Sequence, residues 1–216
     1  MKRNIDQGFM RRAIALARGG LGTTWPNPTV GCVLVKGGAV IAEGVTAPGG
    51  RPHAEQQALA SLGGQARGAA AYVTMEPCGV RSSGEASCSE RLAGGGVTRV
   101  VYACANPDAL SAGRGEGALA AAGVVVESGF LASEATPLYA GFFHRLATGR
   151  PTVEAAETAA GFDGLFQTLP GEALDDALQR FGAGGYNRLW TPRGGALASN
   201  LSQAGLLADN LLEALR

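Results

Sequence analysis

His53-Ala54-Glu55, then Glu76-Pro77-Cys78, then Cys88 are the residues of this chain whose types and order could do chemistry. One imidazole and two thiolates make up the three protein ligands a catalytic zinc takes, leaving its fourth position for water. Zinc lowers the pKa of such a water towards neutrality, so the chemistry open to this set is hydrolysis near physiological pH. Glu55 would lie within one helical turn of His53, close enough to carry protons without binding the metal. The same residues admit a plainer reading. HAE is then the first turn of a surface helix, and the cysteines are ligands of a structural zinc or an unmetallated pair.

Convergence of these side chains needs particular elements around them. The run YVTMEPC places Cys78 just past the end of an apolar strand. Ser87 can cap a helix beginning at Cys88, where the helix dipole favours a thiolate. His53 heads another helical stretch, 54 to 62. TVGCVLV and AVIAEGV, separated by KGG, read as a hairpin; AAAYVTM, TRVVYAC and GVVVES read as three more buried strands. Helices are expected at 5 to 17, where Ile5, Phe9, Ala13, Leu16 and Ala17 share a face, and at 87 to 95, 115 to 122 and 131 to 147. Strands alternating with helices predict a layered α/β domain, largely parallel in its second half and closing near Gly149. Cys32 and Cys104 fall inside apolar strands as small core residues, and His144 sits late in a helix in a surface or capping role.

Beyond TGRP the periodicity weakens. Stretches 173 to 181 and 201 to 215 look helical around a glycine-rich middle. Residues 150 to 216 are too few for an ordinary nucleotide-binding domain with its own wrapped sheet. The expected organisation is a domain over 1–149 and a small appendage over 150–216.

Lys plus Arg (18) balance Asp plus Glu (18), which excludes the basic footprint of a dedicated nucleic-acid binder and makes a small molecule the expected partner. Gly 34 and Pro 10, about 20% of the chain, are turn-rich but short of low complexity. The basic start MKRNIDQGFMRRAIALARGG lacks a continuous apolar core, and no stretch reaches about 18 apolar residues. Neither export nor membrane insertion is therefore expected. In the cytoplasm, the expected location, the four cysteines are thiols or metal ligands rather than a disulfide framework.

Across about residues 6 to 150 the chain resembles the pyrimidine deaminase half of the bifunctional riboflavin-biosynthesis deaminase/reductase family. TWPNPTVG, residues 24 to 31, matches the family pattern Thr-x-Pro-Asn-Pro-x-Val-Gly, and GRPHAEQQAL, YVTMEPC and SAGRGEGALAAAGV follow in family order. The resemblance implies a three-layer α/β/α cytidine-deaminase-like fold with a central mixed sheet of about five strands, and a Zn2+ ion on His53, Cys78 and Cys88 with Glu55 catalytic. It implies a substrate, 2,5-diamino-6-ribosylamino-4(3H)-pyrimidinone 5′-phosphate, whose ring amine is replaced by oxygen; no redox cofactor is needed for that. Asn27 would hydrogen-bond the pyrimidine, while Arg81, Ser82, Asn106, Asp108 and Arg114 would contact the remainder, with Arg51 and Ser83 as further phosphate candidates.

The chain departs from the family in two segments. EPCGVRSSGEASC is one residue longer than the family's loop and has Val80 where a histidine is expected; NPDALSAGRG carries Asn106 and Asp108 in an acid/amide exchange. The tail resembles a reductase half without its large middle, which implies a vestige packed on the deaminase or on a second subunit; a homodimer is a candidate assembly. Two other readings stay open. A deaminase of another base, nucleoside or tRNA more often shows a short Pro-Cys-x-x-Cys element, whereas Cys88 follows Cys78 by ten positions. A non-catalytic zinc-stabilised assembly module would have no need of Glu55.

Overall fold

Apolar, β-branched runs alternate along the chain with amphipathic stretches; the runs at the centre of the first sheet become strands buried along nearly their whole length, and those at its edges become partly exposed strands. The computed structural model describes residues 2–81, 84–108 and 112–208. Contacts divide the chain into two units, one of residues 1–20, 30–47 and 51–136, the other of residues 21–29, 48–50 and 137–216.

The first unit is built on α1 (Lys2–Gly19), β1 (Gly31–Lys36), β2 (Ala39–Val45), α2 (Ala54–Ala60), β3 (Ala70–Met75), α3 (Cys88–Gly94), β4 (Arg99–Cys104), α4 (Arg114–Ala121) and β5 (Val125–Glu127). Its five-stranded sheet has the order β2-β1-β3-β4-β5. β1 runs antiparallel to both β2 and β3, and β3, β4 and β5 are parallel, so the sheet is mixed as expected. Gly37 and Gly38, both at positive φ, close the β1–β2 hairpin, where side chains would be strained.

One face of this sheet, with Cys32, Leu34, Val73, Val100 and Tyr102, packs under α2, α3 and α4 through Ala54, Ala58, Leu59, Leu92 and Leu119. α1 lies against β1 and β3. It buries Met10, Ala13, Ile14 and Ala17, while Phe9 stacks obliquely on Tyr72 with ring centroids 5.3 Å apart. The unit is thus the three-layer α/β/α arrangement, and Cys32 and Cys104 are buried free thiols within its strands.

α5 (Ala132–Thr148) leads into β6 (Thr152–Ala156), β7 (Gly164–Leu165), α6 (Leu174–Ala183), β8 (Arg188–Pro192), α7 (Ala196–Gln203) and β9 (Leu207–Ala208). The tail therefore carries a sheet, an all-parallel one in the order β7-β8-β6-β9. A core of Val153, Phe166, Ala177, Leu178, Leu189 and Leu201 supports it. Sequence periodicity does not show this sheet because its strands are two to five residues long, so they carry too few alternations to register.

The helix expected over 201 to 215 is also displaced. It spans Ala196–Gln203; Gly205, at φ 67°, ends it in the left-handed conformation, and Leu207–Ala208 then pair with Val153–Glu154. Residues 209–215 lie outside the described residues. Among the described residues, no helix is long and apolar enough to cross a membrane.

Candidate metal centre

Three separate elements of the first unit bring the metal-ligating side chains together. His53 occupies the N-cap position of α2, in extended backbone conformation and with no capping bond from its own side chain, which leaves its ring free for other partners. Cys78 follows the C-terminal end of β3, and Cys88 is the first residue of α3. His53 Nδ1 lies 3.4 Å from Cys88 Sγ and 3.8 Å from Cys78 Sγ. All three ligand atoms fall within 4.8 Å of one another. Zinc–nitrogen and zinc–sulfur bonds of about 2.0 and 2.3 Å at a tetrahedral angle separate the two ligand atoms by roughly 3.5 Å. The observed distances bracket that value, and imidazole with two sulfurs is a donor set suited to zinc.

Local chemistry fixes each donor. Ser87 caps α3 reciprocally: its hydroxyl accepts from Glu90 N at 3.2 Å, and its own N–H donates to the Glu90 carboxylate at 2.7 Å. Cys88 N–H donates to Cys78 Sγ at 3.3 Å, so the head of α3 also stabilises charge on the other sulfur. The next residue secures the Cys78 turn, with Ser89 Oγ donating to Pro77 O at 3.2 Å and Ser89 N to Cys78 O at 3.2 Å.

A hydrogen bond from Cys88, helped by His53, holds the Cys78 thiol down to about 4 against the opposing pull of burial. The same bond, then burial and the Glu55 carboxylate, pushes Cys88 well up. Metal binding requires both sulfurs as thiolates, so a cation bound here would displace the proton that the pair otherwise shares.

Glu55 lies in the first turn of α2 and is 3% exposed. Burial raises its carboxyl above the ordinary range, opposed chiefly by the charge of His53. A buried carboxyl beside three metal donors is placed to take and return protons at a metal-bound water.

The other expected contact residues are distributed differently. Arg81 is buried, and its Nη1 donates to Gln56 Oε1 at 3.2 Å and to Glu85 Oε2 at 3.0 Å. Asn106 accepts the Asp108 N–H on its side chain at 3.0 Å, and Arg114 opens α4. Asn27 belongs to the second unit, where its side-chain amide donates to Gly50 O at 3.0 Å. Ser82 and Ser83 lie outside the described residues.

Sequence reasoning assigned no role to Gln56, Ser89 or Glu76. Only Glu76 carried a usable signal, a carboxylate at the end of an otherwise apolar strand run.

Residues 3–104 match the sequence pattern of the cytidine and deoxycytidylate deaminase zinc-binding region. The chain is 40% identical over 146 residues to the diaminohydroxyphosphoribosylamino-pyrimidine deaminase of Buchnera aphidicola subsp. Acyrthosiphon pisum, covering 68% of this chain and 99% of that protein. It is 42% identical over 168 residues to the riboflavin biosynthesis protein RibD of Escherichia coli, covering 78% of this chain but 45% of that one, so it spans less than half the length of this relative. Among solved structures, Acinetobacter baumannii RibD superposes with a TM-score of 0.80 at 26% identity, covering 95% of this chain and 85% of that chain.

Proposed function

The chain belongs to the diaminohydroxyphosphoribosylaminopyrimidine deaminase family of zinc-binding deaminases, and on that premise we propose that it hydrolyses the ring amine of 2,5-diamino-6-ribosylamino-4(3H)-pyrimidinone 5′-phosphate in riboflavin biosynthesis. The observation that carries the proposal is the meeting of His53 Nδ1 with the two sulfurs beside a buried Glu55.

His53, Cys78 and Cys88 would hold the ion. Zinc, when bound, supplies the Lewis acidity that makes water a nucleophile near neutral pH. Glu55 takes one proton from the attacking water and gives it to the ring nitrogen beside the amine-bearing carbon. It takes the second and hands it to the departing nitrogen, so amine and water become carbonyl and ammonia with no net change in protons. Burial of Glu55 suits this double duty, because a carboxyl whose pKa lies closer to the working pH both accepts and releases protons readily.

On family resemblance, Asn27 holds the pyrimidine, and Arg81, Ser82, Asn106, Asp108 and Arg114 contact the ribosyl phosphate side. Residues 1–149 are assigned to the catalytic domain and 150–216 to a non-catalytic remnant, with a homodimer as the assembly and the cytoplasm as the location.

The test is ammonia release from the ribosylaminopyrimidinone phosphate by wild-type protein and by Glu55→Gln. We expect kcat to fall roughly 10²- to 10⁴-fold in the variant, with zinc content unchanged. Release from a different amine alone would overturn the substrate assignment. An unchanged rate in Glu55→Gln would remove the proton carrier, and a zinc-loaded protein inert on every amine would be a structural module.

A further inference from the structure

Glu76 follows the last residue of β3, two positions before Cys78; it is 4% exposed, and the reaction steps above give it no task. Among the described residues, its carboxylate accepts three backbone N–H groups from residues thirty to forty positions downstream. Asn106 N and Gly113 N each donate to Oε2 at 3.3 Å, and Glu116 N donates to Oε1 at 3.3 Å.

α4 depends on this arrangement. Its N-cap is Gly113, at φ 69°, with no side chain to accept the orphan N–H groups of the first turn. Glu76 supplies that acceptor from a different element, in a position where negative charge also suits the helix dipole.

The backbone at the same junction is tightly apposed. A Cβ added to Gly115 would lie 1.8 Å from Pro77 O, and one added to Gly79 would lie 2.5 Å from the Arg114 carbonyl carbon. A single carboxylate therefore fastens the Cys78 turn, residues 106–108 and the head of α4 to one another. Among the described residues, none of its hydrogen bonds goes to His53, Glu55, Cys78 or Cys88.

We infer that Glu76 is a positioning residue that sets Asn106, Asp108 and Arg114 against the Cys78 turn for substrate binding. The inference rests on the deaminase reading above. It assigns to Glu76 an effect on how tightly substrate is held, separate from the metal and from the proton carrier.

Glu76→Gln keeps the shape but replaces one acceptor oxygen with an NH2 that faces a backbone donor. We expect KM for the ribosylaminopyrimidinone phosphate to rise about tenfold, the scale of one lost charge-assisted bond, with kcat within about threefold. Zinc content should be unchanged, and amide hydrogen exchange at Asn106, Gly113 and Glu116 should quicken by about tenfold. Glu76→Asp, which restores the charge one methylene short, should recover part of both effects, and it carries the test if the glutamine variant does not fold.

Unchanged KM and exchange would overturn the inference. So would a loss of zinc with a parallel loss of kcat, which would make Glu76 a support for the metal strand. Wild-type protein that releases no ammonia fells the deaminase reading itself, and the exchange measurement, which needs no substrate, separates that outcome from failure at Glu76.

Discussion

Removing the cap of α3 with Ser87→Ala should weaken zinc binding, because Cys88 is a useful ligand only while the first turn of that helix holds it. Ser87 is 1% exposed, and the substitution leaves Glu90 N without its 3.2 Å acceptor while the return bond from Ser87 N to Glu90 survives. Losing a serine cap costs about 0.5 to 2 kcal/mol, and a seven-residue helix has few other bonds over which to spread the loss. The buried cap should lie in the upper part of that range, about 1 to 2 kcal/mol.

If the turn frays in metal-free protein and must re-form around the ion, the cost is subtracted from binding. The zinc dissociation constant then rises roughly five- to thirtyfold. Competition against a chelator of known affinity measures it directly. The thermal midpoint should fall by roughly 2 to 8 °C, and Ser87→Thr, which keeps the hydroxyl, should restore both quantities. A lowered midpoint with zinc affinity unchanged would refute the reasoning, since the cap would then stabilise α3 without setting the position of Cys88.

Two further outcomes follow from packing and from ionisation. A Cβ on Gly44 would stand 2.1 Å from the carbonyl oxygen of Ala54, so Gly44→Ala should push back α2, with His53 and Glu55 at its head; a stability loss of about 1 to 3 kcal/mol in urea should accompany reduced zinc retention. Tyr72 donates to Asp6 and accepts from Arg99 Nη1 at 3.0 Å; burial, then the bond to Asp6, pushes its pKa from an ordinary 10 up to about 12. The fold therefore favours the neutral phenol. That stabilisation is whole below about pH 10 and drains away as pH rises through about 12, so alkaline unfolding should steepen in that window and lose this component in Tyr72→Phe.

Donor identity and much of the scaffolding were legible in the residues themselves. His-x-Glu, Glu-Pro-Cys and the later Cys88 state which groups can bind zinc, and Ser87 with Glu90 marks the start of α3 through a purely local capping preference. The five long apolar runs became the five strands of the first sheet, because six- or seven-residue strands and a glycine hairpin announce themselves through composition and turn chemistry. Even β5, shorter at three residues, was marked by a valine run between a helix stop and the next helix.

Tertiary structure alone decided what those groups do to one another. That His53 presents Nδ1 to both sulfurs, that Cys88 N–H reaches Cys78 Sγ, and that Glu76 caps a helix forty residues away all depend on distances between chain segments that no local pattern encodes. Arg81 shows the same limit: nothing local in its sequence says that the fold buries it with its guanidinium donating to Gln56 and Glu85. The short parallel strands of the second unit became strands only through their partners, since a two-residue segment has no periodicity of its own and acquires extended structure from the ladder it joins. Residue type sets which interactions are available; long-range proximity sets burial, local dielectric and hydrogen-bond partner, and through these the ionisation on which the proposed chemistry depends.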